Sequence, residues 1–342
     1  MMMQYVKARE GDLVETLEGN IFDVKGFVHP PGKVVAFIRF TPDFEGDRKR
    51  EGTTYRKVYP LKERYELLQE RFPKYLVFDT VFDEQLCEVP IKAIKQHYKP
   101  TEGLENLRCK DLLDEGEIDA LEFAELLKKN VGVSWDKLGI SGSLLVGLHK
   151  PDSDIDPVIY GSENCCKVYA TLKTLMQHDD SPVHSYTREG LKRLFDFRSK
   201  DTVMSLEDFL RTESRKVLQG TFKRRDYFIR CVKDWNEIED DYGRIQYKSM
   251  GYAKIKATVT DDSEMIFTPC CYRIADVKIL EGIHVEPIEE IVSFRGRFCE
   301  QARNGETVIA QGKVERVQAS EQAFYRLLLG NKTSDFMVPL EA

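Results

Sequence analysis

The chain has 342 residues, a length that favours about two or three domains, and with 42% hydrophobic and 32% charged residues it can bury real cores. That balance excludes a disordered tail protein, a collagen-like repeat and a disulfide-stapled miniprotein. Lys and Arg number 51 against 58 Asp and Glu, a formal charge of −7, which is the wrong sign for a protein whose affinity comes mainly from blanket phosphate neutralisation.

Taken in chain order, the first hundred residues read as a small α+β module. Val34 to Phe40 is a strand entered through the turn Pro30-Pro31-Gly32, and Phe44 to Gly52 is a charged, glycine-bracketed loop. Leu61 to Arg71 has helical spacing, Tyr75 to Phe78 is a second strand, and Pro100 to Gly103 reads as a linker. A helix is expected from about Glu117 to Lys129. After it come a short strand ending at Ile140-Ser141, the Gly142-Ser143 turn with a short helix to Leu148, and a strand from Asp154 to Tyr160. Cys165 to Gln177 is helical, Thr187 and Ser205 cap two further helices, and Tyr227 to Val232 is a strand. Beyond residue 238 the strand-like runs Ala253 to Val259, Glu264 to Phe267, Ile291 to Phe294 and Thr307 to Ala310 alternate with Gly and Asp turns, the spacing of a small barrel or sandwich. Three parts result: 1–103, 104–237 and 238–342.

No apolar core of signal-peptide length stands in Met1 to Glu10, and no run of about eighteen apolar residues occurs anywhere. The eight cysteines include two adjacent pairs but no C-x-x-C, and the six histidines complete no zinc spacing. A cytoplasmic, reduced protein with no membrane partner is expected, most of its cysteines serving as small core residues.

The chemistry concentrates between Leu138 and Asp156. A strand that ends at a Gly-Ser turn and opens a helix presents free backbone N–H groups to phosphate oxygens. Gly142 permits close approach, and the Ser143 hydroxyl can donate to the same phosphate. Asp154 and Asp156, two apart on a strand, point to one face and can grip a hard divalent cation or bridge two. Oxygen-only donors select Mg2+ or Mn2+ over zinc. Two such ions neutralise a triphosphate, activate a hydroxyl and stabilise departing pyrophosphate. Asp152 to Asp156 with Glu163 also imitates a calcium loop, but Pro157 occupies that motif's glycine position and strand formers follow it.

Gly142, Ser143, Asp154, Ile155 and Asp156 together resemble the signature of the DNA polymerase beta nucleotidyltransferase superfamily: apolar residue, Gly, Gly or Ser, then Asp-apolar-Asp within a strand. The match covers about residues 115 to 235, and the whole chain resembles an archaeal family of predicted nucleotidyltransferases whose substrate is not known. The resemblance implies an α+β architecture: a central mixed-sheet nucleotidyltransferase domain, preceded by the small α+β module and followed by the barrel-like one. It implies a transfer of NMP from a nucleoside triphosphate to an acceptor hydroxyl on RNA, protein or a small molecule, with two Mg2+ or Mn2+ ions. A third metal-binding carboxylate is implied, for which Asp226 is the candidate, Asp234 the fallback, and Asp196 and Asp201 stand behind it. Ser153 and Arg225 are candidate phosphate contacts beside Gly142 and Ser143. Pro157 departs from the superfamily pattern; lacking an N–H, it requires a strand that only begins there. The alternative is a nucleic-acid-binding protein that carries an inactive nucleotidyltransferase domain.

Overall fold

The structure, a computed structural model, describes residues 6–201, 203–239, 241–319 and 322–340; the first five residues of the N-terminal stretch read for a leader lie outside it. The protein is α+β. The N-terminal part comprises β1 (Leu13–Thr16), β2 (Ile21–Val24), β3 (Lys33–Pro42), β4 (Arg48–Arg50), β5 (Thr53–Lys57), α1 (Leu61–Arg71), β6 (Leu76–Asp79), β7 (Glu84–Pro90) and β8 (Ile94–Tyr98). Its sheet runs β4-β5-β3-β2-β1-β8, with β7 joined to the start of β3. Along β3, Val34, Ala36, Ile38 and Phe40 are buried while Lys33, Val35, Phe37 and Arg39 are half-buried, the period of two that puts one face in a core. The alternation decides where α1 packs: Leu67 and Leu68 join Val14, Phe22, Val34, Ala36 and Ile38 in one cluster.

The middle of the chain supplies α2 (Pro100–Cys109), α3 (Glu115–Val131), β9 (Leu138–Ile140), α4 (Gly142–Leu145), β10 (Pro157–Tyr160), α5 (Ser162–Leu175), β11 (Val183–His184), α6 (Arg188–Arg198), α7 (Leu206–Glu213), β12 (Gln219–Phe222), β13 (Arg225–Phe228) and β14 (Arg230–Val232). The expected linker Pro100 to Gly103 is instead the first turn of α2. Pro100 stands at its start, where a missing N–H costs nothing, and Leu104 and Leu107 are buried. Helix α3 begins with a reciprocal cap between Asp114 and Glu117 and stops at Gly132, whose φ of 77° suits glycine. Thr187 and Ser205 accept the caps anticipated for them, from the Gly190 and Asp208 N–H groups. Strand β10 lies between β9, antiparallel, and β14, parallel, and the α5 crossover supplies the parallel neighbour.

The C-terminal part holds β15 (Ile245–Asp261), β16 (Cys270–Gly282), β17 (Ile288–Ser293), β18 (Thr307–Ala319), β19 (Gln322–Leu329) and β20 (Phe336–Pro339). The pairings β15-β16-β17-β19-β18 return to β15, making a barrel-like sheet, and β20 adds to β18. The run Glu264 to Phe267 is not a strand; it belongs to the turns between β15 and β16, where Met265, Ile266 and Phe267 are buried all the same. Its apolar residues plug a core rather than extend the sheet.

The described residues fall into two compact units. Those within Met1–Val77, Cys87–Ser185 and Val217–Glu239 form the first; those within Phe78–Leu86, Tyr186–Lys216 and Asp240–Ala342 form the second. The first unit thus joins the N-terminal sheet to the β9-β10-β14 sheet. Leu13, Ile21, Phe40 and Tyr55 of the former share a cluster with Val146 and Leu148, which follow the Gly142 turn. Full burial of Val146 and Leu148 contributes roughly 1.5–3 kcal/mol each, so the segment carrying the candidate site is tied to the N-terminal sheet. Among the described residues no helix is long and apolar enough to cross a membrane.

Candidate functional site

Strand β10 begins at Pro157, so the proline at its start breaks no ladder bond, and Asp156 stands just before it. The Asp156 carbonyl accepts from the Ser141 N–H at 2.8 Å, which brings the acidic segment beside the Gly142 turn. Gly142 has φ of 65°, and a Cβ on it would fall 1.9 Å from Asp156 Oδ2. Only glycine allows the carboxylate this approach. Helix α4 is a single turn, too short for a strong axial dipole, so the donors on offer are the first-turn amides and the Ser143 side chain. Ser143 is 4% exposed, and its buried hydroxyl has no hydrogen-bond partner among the described residues. The turn is held from below by Ser141 Oγ, which donates to the Gly11 carbonyl at 2.6 Å.

Asp226 reaches the same face by strand pairing. Ile155 bridges Tyr227 in parallel; the Ile155 N–H donates to the Asp226 carbonyl at 2.9 Å, and the Phe228 N–H to the Ile155 carbonyl at 3.0 Å. Bridged residues point the same way, and Ile155 and Tyr227 are both buried. Asp154, Asp156 and Asp226 therefore share the opposite face, the first two half-buried and Asp226 exposed. Asp156 is pushed up to about 7 by burial and by the adjacent Asp154 carboxylate, with Arg39, Lys57 and Arg230 pulling the other way. The side chains of Asp154 and Asp156 have no hydrogen-bond or ion-pair partner among the described residues. Two crowded carboxylates without a contacting counter-charge suit a hard divalent cation, whose charge relieves their repulsion.

The remaining sequence candidates take structural roles. Arg225, expected as a phosphate contact, has partners of its own: its Nε donates to Asp119 at 3.0 Å and its Nη1 to the Pro151 and Ser153 carbonyls, which fixes the loop ahead of Asp154. Ser153 Oγ accepts from the Lys150 N–H at 2.9 Å and closes that same turn. Asp234 is bound to Arg9 and Lys137 and caps the turn at Trp235, so it supplies no third carboxylate. Asp196 and Asp201 belong to the second unit, where Asp201 lies between Arg295 and Arg297. Asp114, Glu117 and His149 bring ligand atoms near one another, but Asp114 and Glu117 form the α3 cap and Glu117 is neutralised by Lys110.

Nothing in the sequence marks Arg39 and Lys57 as site residues. One lies in an amphipathic strand and the other ends a hairpin, and only the folding of the N-terminal sheet brings them within electrostatic reach of Asp156. Arg48 joins them: its guanidinium donates to the Leu148 carbonyl and feels Asp154. The lone available signal was the half-exposed phase of β3, in which Arg39 shares a face with Lys33, Val35 and Phe37.

These features define an α+β protein with an acidic oxygen-donor site beside a glycine turn and a cationic wall. The chain belongs to the family of the uncharacterized protein MJ1086 of Methanocaldococcus jannaschii: the two are 32% identical over 340 residues, spanning 97% of this chain and 98% of that relative. No family model matches the chain, and no solved structure does.

Proposed function

We propose that the protein is a metal-dependent nucleotidyltransferase that moves a nucleoside monophosphate from a nucleoside triphosphate to an acceptor hydroxyl. The observation that carries this reading is the Asp154 and Asp156 pair, whose side chains have no hydrogen-bond or ion-pair partner among the described residues, with Asp156 packed against the Cα of Gly142 and the unsatisfied Ser143 hydroxyl next in the chain. Mg2+ or Mn2+ would be held by Asp154 and Asp156, with Asp226 completing the set; when bound, it supplies charge neutralisation and polarisation of phosphate oxygens. The Ser143 hydroxyl and the first-turn amides hold a phosphate by donating to its oxygens. The acceptor oxygen bonds to the α-phosphorus, the bond from that phosphorus to the bridging oxygen breaks, and pyrophosphate departs with the bonding pair. Asp226, the exposed member, takes the acceptor proton. Catalysis of this kind rests on positioning and electrostatics.

Asp154→Ala combined with Asp156→Ala removes magnesium-dependent triphosphate turnover by about a thousandfold or more while circular dichroism stays native. Equal turnover in the wild type and the double variant overturns the proposal. Salt-sensitive RNA binding without any triphosphate affinity would instead favour a nucleic-acid-binding protein with an inactive domain.

A further inference from the structure

Building on the assignment of Asp154 and Asp156 as metal ligands, we propose that the polyphosphate chain of the nucleotide is gripped by the N-terminal sheet, through the guanidinium of Arg39 and the ammonium of Lys57. Three observations lead there. First, both cations are half-buried, yet neither has a hydrogen-bond or ion-pair partner among the described residues. Their neighbours are compensated: Lys25 is bound to Asp23 at 2.7 Å, Arg50 to Glu15 at 2.7 Å, and Arg230 to the buried Glu10. Arg39 acts at a distance on Asp23 and Asp156, and Lys57 on Asp154 and Asp156, but a half-buried cation with no anion in contact costs stability, and two side by side leave their N–H donors for a ligand.

Second, Arg39 is the extra residue of a β-bulge. The β2–β3 register steps from Ile21↔Phe40 to Phe22↔Ile38, leaving Arg39 unopposed on that side, and bulges re-aim the side chain they carry. Its carbonyl still accepts from the Val58 N–H at 2.9 Å, which places it beside Lys57. The ring of Tyr59 lies 5.0 Å from the Arg39 guanidinium and 5.9 Å from the Lys57 ammonium. A π face steadies both charges without consuming their N–H donors.

Third, the charges sort by kind. Arg39, Lys57 and Arg230 act on Asp156, and Arg230 is already held by Glu10. Lys57 is lowered by burial and by Arg39, with Asp154 and Asp156 opposing. Two mutually repelling cations facing two mutually repelling carboxylates fit a ligand that is itself a polyanion carrying a divalent cation. A single phosphodiester has one charge and leaves one cation unmatched; a metal-chelated polyphosphate serves both sets.

The test uses the full chain with Mn2+ and inorganic tripolyphosphate as the probe, read by titration calorimetry, while Mn2+ binding is followed separately by paramagnetic resonance. Arg39→Gln and Lys57→Gln each weaken tripolyphosphate binding about tenfold, the worth of one charge-assisted contact, while Mn2+ alone still binds, its affinity shifted far less than that of tripolyphosphate. Arg39→Lys, which keeps the charge, retains most of the affinity and covers the case in which Arg39→Gln does not fold. Undiminished tripolyphosphate binding in the Gln variants, or none in the wild type, overturns the assignment. A single-stranded RNA oligomer whose binding falls in the variants while tripolyphosphate binding does not would also overturn it, by moving the cations to the acceptor. Failure of the underlying metal site reads out differently, as Mn2+ affinity unchanged by Asp154→Asn.

Discussion

Both units pair most of their buried charge internally, and they part at one place: the segment around Asp154 and Asp156 in the first. In the second, Glu315 accepts from Arg326 Nε at 2.9 Å and lies 2.9 Å from the Lys313 ammonium, which also reaches Glu84 at 2.6 Å. Glu213 is likewise taken by Arg198 at 2.6 Å and Lys216 at 2.7 Å. In the first unit, among the described residues, the side chains of Asp154 and Asp156 have no cation in contact, and those of Arg39 and Lys57 no anion in contact. Internal compensation spends a charge on holding the chain together. Charge left uncompensated in a partly dry place destabilises the free protein, and folds keep such sites where a ligand completes them.

The contrast can be broken hardest in the second unit. Glu315→Ala strands Arg326, which is 9% exposed, and the loss in a chemical denaturation experiment is about 3–5 kcal/mol. In the first unit Gly142→Ala costs about 1–3 kcal/mol from the left-handed backbone and the collision with Asp156. It weakens Mn2+ binding at the same time, because the carboxylate must move away. The thermal midpoint and the Mn2+ titration check both.

The pH dependence sharpens the comparison. The folded protein keeps a proton on Asp156 up to about 7, whereas the free side chain loses it near 3.8. Between these values the folded state binds more protons than the unfolded, so this stability is full below the lower value and is lost as pH rises to the upper. In chelator, the thermal midpoint falls between about pH 4 and about pH 7; Asp156→Asn flattens the fall, and magnesium at the higher pH restores the midpoint. His29, pushed down to about 4 by burial, acts in the opposite sense and loses stability as pH drops from its ordinary 6.5. The Asp156→Asn comparison therefore isolates the carboxylate, since His29 is common to both proteins. The smallest effect belongs to Ser143→Ala. Removing an unsatisfied buried hydroxyl leaves stability within about 1 kcal/mol of the wild type or raises it, while triphosphate affinity falls about tenfold.

Local chemistry was legible in the sequence wherever a few adjacent residues decide it. Helix α1 has the bounds its spacing predicts, and the hydroxyls of Thr187 and Ser205 cap as their patterns suggest; Gly142, read as leaving room for a phosphate, has the Asp156 carboxylate against its Cα. Pro100 shows where such reading strains: the same residue opens a helix or breaks a chain, and only the burial of Leu104 and Leu107 decides between them. Arg225 looks like a phosphate ligand in a basic run, but Asp119 and two loop carbonyls, distant in sequence, claim it first. Arg39 and Lys57 carry no motif because their position depends on a long-range register and one bulge, which no window of adjacent residues contains.

The cluster in which Val146 and Leu148 join Leu13, Ile21, Phe40 and Tyr55 bears on how this family can diversify. A core shared across the first hundred residues and the acidic segment removes the usual freedom to graft that segment onto new partners. An excised fragment starting at residue 104 would expose oily side chains next to its own glycine turn and would aggregate or refold wrongly. New specificities must then arise by point changes along the shared seam, and descendants should inherit both halves together or neither.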